Sequence, residues 1–420
     1  MGRLSVLIIL SVFILVFDYY CFRAILTVFK SWKSKTKRLF AIVWWSYSIF
    51  LIIGVFVSIF ITIPSVYLGI RSIVLVAFFL TLACKIVFLP FLVIDDLRRV
   101  FLKAKSLVAN GKEKHTQTVS PSEPISRSAF LIKAGLITAA IPLTSLTWGI
   151  ATGAYDYKVI RKRLILPNLP SAFEGMKLGQ ISDIHSGSFY NHRAVGGGID
   201  MLLAEKPDLI FFTGDLVNDM ATEMRDYQDL FSKVKAPLGV YSTLGNHDYG
   251  DYHFGKEGSP EKARNLQNVI KTHELMGWNL LMNEHKSLKV NGQKIGILGI
   301  ENWGMGRFPK YGRMDLATKD TDDFPVKLLL SHDPSHWRAE VLQKYPQIDA
   351  MFSGHTHGMQ FGVRTKDFQW SPVQYIYNEW AGLYTHNNQQ LYVNVGYGFL
   401  GYPGRVGILP EITIFELRRA

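Results

Sequence analysis

The stretch FSGHTHGMQ, residues 352–360, sets two histidines one residue apart between Gly354 and Gly358, directly after the apolar run IDAMF. Imidazole is a common surface side chain, so the pair alone decides nothing. What decides it is that four other apolar runs also stop at polar clusters. MKLGQISDIHSG (176–187) ends in Asp183 and His185, and PDLIFFTGDLVND (207–219) reaches Asp215. LGVYSTLGNHD (238–248) ends in Asn246, His247 and Asp248, and VKLLLSHDP (326–334) reaches His332. Short apolar runs separated by helical or polar stretches predict the strands of a layered α/β domain. Five strands then deliver carboxylate, imidazole and amide groups at their carboxyl ends, where open α/β sheets hold ligands. Each piece is weak alone, since Gly-Asp is usually a turn and a single histidine is often a satisfied core residue. Together they supply oxygen and nitrogen donors for two cations.

In that order, Asp183-x-His185, Gly214-Asp215, Gly245-Asn246-His247-Asp248, His332 and Gly354-His355-Thr356-His357 resemble the calcineurin-like metallophosphoesterases. The resemblance runs from about Leu164 to Leu417, and the ending VNVGYGFLGYPGRVGILPEITIFEL (393–417) is similar to the membrane-linked bacterial branch of that family. It implies a four-layer α-β-β-α sandwich and a metal-dependent phosphoric ester hydrolase. Asp183, His185, Asp215 and His357 would hold one divalent ion, and Asp215, Asn246, His332 and His355 the other, with Asp215 as the bridge. Manganese, zinc or iron suits this mixed imidazole and carboxylate set. Phosphoester hydrolysis needs a nucleophile at neutral pH and compensation for charge on the phosphoryl oxygens, and two cations about 3.5–4 Å apart provide both. Alternation along an extended segment points neighbouring side chains apart, so one histidine of the pair needs a bend, which the flanking glycines are expected to permit.

The same resemblance makes His247 the acid that meets the leaving-group oxygen, with Asn246 and His247 beside the substrate. Many relatives orient this histidine with an aspartate three residues after the bridging one; here that position is Asn218, with Asp219 next. Asp248 is read as a loop stabiliser. Arg405, after the glycine-rich 396–404 stretch, is a candidate phosphate clamp, since guanidinium binds phosphate bidentately. Gly196–Gly198 reads as a phosphate cradle or as a flexible helix entry. The aromatic stretches 249–263 and 361–388 are expected to wall the cleft; at a membrane surface such side chains suit lipid headgroups, and packing beneath long loops is the other reading.

The rest of the chain belongs to a different regime. Of 420 residues, 48% are hydrophobic, and mean hydropathy is +0.12, too apolar for an average soluble enzyme. Candidate spans lie near Leu4–Cys21, Leu39–Val66, Ile73–Ile94 and Phe130–Ala151, each approaching the roughly 20 apolar residues that cross about 30 Å of hydrocarbon. Asp18 and Lys85 fall within them, near an interface, against a neighbouring helix, or, on the sharper reading, as a buried functional pair. The domain boundaries expected are 1–152 for an all-α transmembrane anchor, with a polar linker near 104–126, and 153–420 for the α/β domain.

Charge sets an expected orientation. The net charge is +12. The first connection carries Arg23, Lys30, Lys33, Lys35, Lys37 and Arg38, the third Arg98, Arg99, Lys103, Lys105, Lys112, Lys114 and Arg127, and the second only Arg71. Basic loops stay on the cytoplasmic side, which puts both termini and the α/β domain outside, in a bacterial inner or plasma membrane. SRSAFLIKAG (126–135) also resembles a twin-arginine export signal, with Ser128 in place of the second arginine. The two cysteines lie in apolar surroundings and suggest no disulfide framework.

The leading expectation is a phosphoesterase acting on a diester of an envelope lipid, lipid-linked or wall substrate. Cleavage of the UDP-2,3-diacylglucosamine pyrophosphate is the alternative enzyme reading, and a non-catalytic receptor for phosphorylated ligands is the alternative class. Nucleic acid is not an expected partner, because no basic patch with interleaved aromatics stands out.

Overall fold

The computed structural model of the chain describes residues 3–60, 68–109, 127–306 and 308–419. It divides into two compact units, Met1–Thr147 and Trp148–Ala420.

The first unit is built from α1 (Arg3–Val28), α2 (Ser34–Phe60), α3 (Leu68–Ala109) and α4 (Arg127–Ala151), the last four residues of α4 belonging to the second unit. All four are long and apolar enough to cross a membrane. Their outward faces are hydrophobic, with Val16, Ile73 and Ile137 all more than 60% exposed, as expected of helices whose solvent is lipid. The small set of buried residues, among them Phe17, Phe88, Leu92 and Ile132, forms the contact between helices. α3 spans 42 residues, about 63 Å at roughly 1.5 Å per residue, twice the hydrocarbon thickness. Helix therefore covers residues 104–109, where a polar linker was expected, and the remainder of that linker, with Lys112 and Lys114, lies outside the described residues.

Two buried carboxylates inside this bundle are paired. Asp18 is fully buried and forms an ion pair with Lys85, whose ammonium also lies 5.8 Å from the Trp44 ring. The two residues thus face each other from neighbouring helices, α1 and α3. Asp95 accepts from Arg98 at 3.0 Å, Arg99 at 2.8 Å and the Ser128 hydroxyl at 2.8 Å, so the serine at the place of a second arginine is part of a helix-to-helix cluster.

The second unit contains two mixed six-stranded sheets. One has the order β1 (Lys158–Ile165), β14 (Glu411–Arg418), β2 (Lys177–Ile181), β3 (Leu209–Phe212), β4 (Val240–Ser242), β5 (Asn279–Leu280). The other runs β12 (Gly382–His386), β13 (Gln389–Val393), β9 (Ala350–Ser353), β8 (Lys327–Leu330), β7 (Gln293–Gly299), β6 (Glu284–Val290), and a small hairpin joins β10 (Val363–Arg364) to β11 (Gln369–Trp370). Between the sheets, the Phe352 ring meets Phe211 at 5.1 Å and Phe415 at 5.3 Å, edge to face; each such buried ring contributes about 1.5–3 kcal/mol.

Helices cover both outer faces. α5 (His192–Ala204) and the helix Pro260–Leu275 bury Val195, Ile199 and Val269 against the first sheet. Trp337 and Val341 lie with Leu298, Met351 and Leu391 on the second. This is the four-layer α-β-β-α arrangement. Gly196–Gly198 sits inside α5 rather than at its entry.

β2, β3 and β4 are mutually parallel, as are β8 and β9, so the five strands that end in polar residues deliver them at one end of the sandwich. The Gln180 amide donates to the Ser353 carbonyl at 3.0 Å, tying the two sheets together beneath that end.

Candidate metal centre

Each strand stops two to five residues before the site side chains that follow it, and the backbone there turns sharply. Asp183, His185, Asp215, His355 and His357 all adopt left-handed conformations, with φ between 49° and 72°. The bend that brings both histidines of the FSGHTHGMQ stretch inward is thus made by the histidines themselves. The glycines serve otherwise. A Cβ on Gly354 would lie 2.1 Å from Asp183 Oδ2 and from Ser182 Oγ, and Gly358 has φ +54°, so the first is required by space and the second by conformation.

Two groups of donors result, Asp183 with His185 and His357, and Asp215 with His332 and His355, the atoms of each lying within 4.8 Å of one another. His357 Nε2 is 3.2 Å from Asp183 Oδ1 and 3.0 Å from His185 Nε2. In the other group His332 Nε2 is 3.1 Å from Asp215 Oδ2 and 3.3 Å from His355 Nδ1. Asp215 Oδ2 also stands 3.5 Å from His185 Nε2, so one carboxylate faces both groups. Asn246, expected on the second side, donates from its amide to the Tyr252 hydroxyl at 3.1 Å, while its Oδ1 is buried without a partner. A buried carbonyl left unpaired is costly unless something binds it, and ring nitrogens that face each other need a cation or proton between them. The donor set fits divalent ions.

The groups behind these donors fix their orientation. His332 Nδ1 donates to the Thr213 carbonyl at 2.7 Å, which leaves Nε2 as the ligating atom. His355 Nε2 meets the Tyr377 hydroxyl at 2.8 Å and Asp333 Oδ2 at 3.6 Å, which leaves Nδ1. Asp248 accepts from the backbone N–H of Asp215, Leu216, Val217 and Gly245, clamping two of the loops together as a loop stabiliser would.

Electrostatics follow from burial against charge. Burial holds the His185 and His355 imidazoles below their ordinary range. Burial also opposes charge on His332, but Asp215 overrides it and raises that imidazole to about 10. The Asp183 carboxyl, despite burial, is drawn down to about 2 by His357.

His247 lies at the rim, half-buried, its ring 4.9 Å from that of His185 and stacked on Tyr252 at 4.5 Å. Its backbone N–H donates to Asp215 Oδ1 at 2.9 Å. Its Nδ1 donates to the backbone carbonyl of Asn218 at 2.7 Å, so the orienting group is a main-chain oxygen and not the side chain of Asn218 or Asp219. Arg405 differs from expectation. It is 1% exposed, and its guanidinium donates to the carbonyls of Gly398 at 2.9 Å and Val395 at 2.8 Å and lies 3.2 Å from His357 Nδ1. A guanidinium committed to backbone carbonyls holds the 395–408 loop against His357; it has no free fork for a phosphate. The residues the sequence reading missed are Tyr252, Tyr377 and Asp333. Asp333 follows His332 directly, which was a usable signal; the tyrosines had none beyond lying in the aromatic stretches.

Residues 176–359 match the family described as calcineurin-like phosphoesterase, and residues 3–154 match the one described as probable calcineurin-like phosphoesterase, transmembrane domain. A zebrafish transmembrane protein with metallophosphoesterase domain is 28% identical over 313 residues, covering 72% of this chain and 66% of its own length. The chain therefore spans just under two thirds of that relative. Phosphodiesterase YaeI of Escherichia coli is 26% identical over 267 residues, 62% of this chain and 88% of YaeI. UDP-2,3-diacylglucosamine pyrophosphatase LpxG of Chlamydia trachomatis is 26% identical over 316 residues, 62% of this chain and 90% of LpxG.

Proposed function

The chain belongs to the calcineurin-like phosphoesterases and carries their transmembrane domain, and we propose that it hydrolyses a phosphodiester of an envelope lipid, a lipid-linked or a wall substrate, with its α/β unit outside the cytoplasm. The observation that carries this reading is the pair of donor groups sharing Asp215, with His247 beside them. Asp183, His185, Asp215 and His357 would hold one divalent ion, and Asp215, Asn246, His332 and His355 the other, with manganese, zinc or iron suited to the set. When bound, such a pair supplies Lewis acidity toward the ester oxygens and acidifies water.

The protein's own groups do the rest. With Nδ1–H committed to the Asn218 carbonyl, His247 in its protonated form carries a transferable proton at Nε2, to be handed to the departing ester oxygen. Tyr252 stacks on that ring and holds the Asn246 amide, so the acid and one donor share a support. Neutral Asn246 keeps the site less anionic than a third carboxylate would, which favours an anionic ester. The basic residues between α1 and α2 and along the end of α3 support an extracytoplasmic site, and the phosphodiesterase named in E. coli supports a diester.

Likeness to LpxG supports a second reading, hydrolysis of the UDP-2,3-diacylglucosamine pyrophosphate; its nucleotide substrate would require a cytoplasmic site, and a topology reporter fused after Ala420 separates the two. The primary test is turnover by the full-length chain in detergent after chelation. Return of manganese, zinc or iron is expected to restore hydrolysis of bis-p-nitrophenyl phosphate in preference to p-nitrophenyl phosphate. Absence of turnover with every metal would refute the reading.

A further inference from the structure

The structure points to a second partner of the α/β unit besides its substrate. We propose that the face carrying Met359, Phe361, Val363, Phe368, Tyr375 and Ile376 docks onto the lipid interface of the bilayer that α4 crosses. The argument starts at the end of α4. Its 25 residues extend about 37 Å at roughly 1.5 Å per residue, against about 30 Å of hydrocarbon, so its last turn reaches the interface. Trp148 stands there, 70% exposed, in the position tryptophan favours at a membrane boundary.

From that turn the chain can be followed to the apolar face within the same compact unit. The Arg405 N–H donates to the Gly149 carbonyl at 3.2 Å, and the Val406 side chain packs on Gly149. Val406 in turn bridges to the 360–362 segment, its N–H donating to Gln360 and its carbonyl accepting from Gly362 at 2.8 and 2.9 Å. Met359, Phe361 and Val363 therefore run beside the helix end. Phe361 meets Trp370 edge-on at 6.5 Å, the hairpin presents Phe368, and Ser371, just ahead of the Pro372–Tyr375 turn, donates to the Gly358 carbonyl at 2.7 Å. All six named side chains are between 39% and 77% exposed. Such a concentration of open apolar groups marks an interaction surface, and its continuity with a membrane span identifies lipid as the occupant.

The same face adjoins the metal centre along the chain. Met359 is two residues past His357, and Tyr377, whose hydroxyl meets His355, follows Ile376 directly. A phosphoester anchored by acyl chains in the interface would reach the donors without leaving the lipid. This deepens the proposed lipid-linked substrate but rests on α4 as a span, not on turnover.

The test uses the full chain with Cys21→Ala and Cys84→Ala, its fold verified by melting, in nanodiscs of phosphatidylcholine and phosphatidylglycerol. Single cysteines, Phe368→Cys or Ile376→Cys, carry a bimane probe; Lys289→Cys, on the far edge strand β6, is the control. Lipids brominated near the headgroup are expected to remove at least about half the emission at 368 and 376 and to leave 289 unchanged. Equal emission in brominated and plain nanodiscs at 368 and 376 overturns the proposal. So does copy-to-copy cross-linking at Phe368→Cys, which would make a second chain the occupant. An inactive chain with quenched probes counts against the hydrolase reading alone, and an active chain with unquenched probes against the docking face alone.

Discussion

The helical unit and the α/β unit both bury charged residues, and they do so in opposite ways. In the helices each buried carboxylate has its complement at hand: Asp18 meets Lys85, and Asp95 meets Arg98, Arg99 and Ser128. In the α/β unit, the imidazoles of two donor groups turn nitrogens toward one another across 3.0–3.3 Å, and Asn246 Oδ1 has nothing to accept from. A cluster closed on itself specifies how helices pack. One whose lone pairs converge on a common point has been shaped around something else. The contrast teaches how to tell a structural polar cluster from a ligand site without reference to the burial of its carboxylates, which is nearly total in both.

Four substitutions test that contrast, in falling order of effect. Asp215→Asn removes the charge both donor groups share; turnover of bis-p-nitrophenyl phosphate should fall at least about 10³-fold, with bound metal reduced in elemental analysis. Asp18→Ala leaves Lys85 buried without its partner and should cost about 3 kcal/mol of thermal stability in detergent. The double change Asp18→Leu with Lys85→Met should recover most of it. A double variant no more stable than the single one would mean that the pair has a role beyond packing. His247→Ala should lower turnover about 10²-fold, about 2.7 kcal/mol of barrier, while metal content stays near wild type. An emptied site would make His247 a ligand and remove it from the role of acid.

The smallest effect concerns a buried polar ring that is neither paired by charge nor open to a ligand. His273 bonds Ser242 Oγ at 3.0 Å, and burial pushes its imidazole down to about 3. Unfolded, it takes up a proton near pH 6.5. Between those values unfolding binds a proton, so stability falls as pH falls below about 6.5; above that the ring is neutral in both states and its contribution is constant. His273→Gln should flatten the acid side of the melting profile by about 1 kcal/mol per pH unit. An unchanged slope would show that the ring is already charged when folded.

Much of this was legible in the sequence, for a physical reason. Strands announce themselves by apolar runs, and a donor placed just beyond a run, as in ISDIH or FSGHTH, inherits its position from the sheet. The helices were legible by length and composition alone. What could not be read depends on main chain and on loops closing over side chains. The carbonyl that orients His247 belongs to Asn218, but any residue there would present one. Arg405 looked available because nothing in its neighbours reveals that the 395–408 backbone folds around its guanidinium. The end of α3 looked like a linker because its basic residues break the apolar run without breaking the helix.

The left-handed backbone at Asp183, His185, Asp215, His355 and His357 carries a lesson about mutability. Aspartate, asparagine and histidine are among the few side chains that tolerate this conformation, and they are also good donors. A library randomised at position 183 should return folded chains with little besides asparagine, histidine and glycine. The backbone at these points therefore favours residues that can still ligate, so conformation and chemistry press the same choice of side chain.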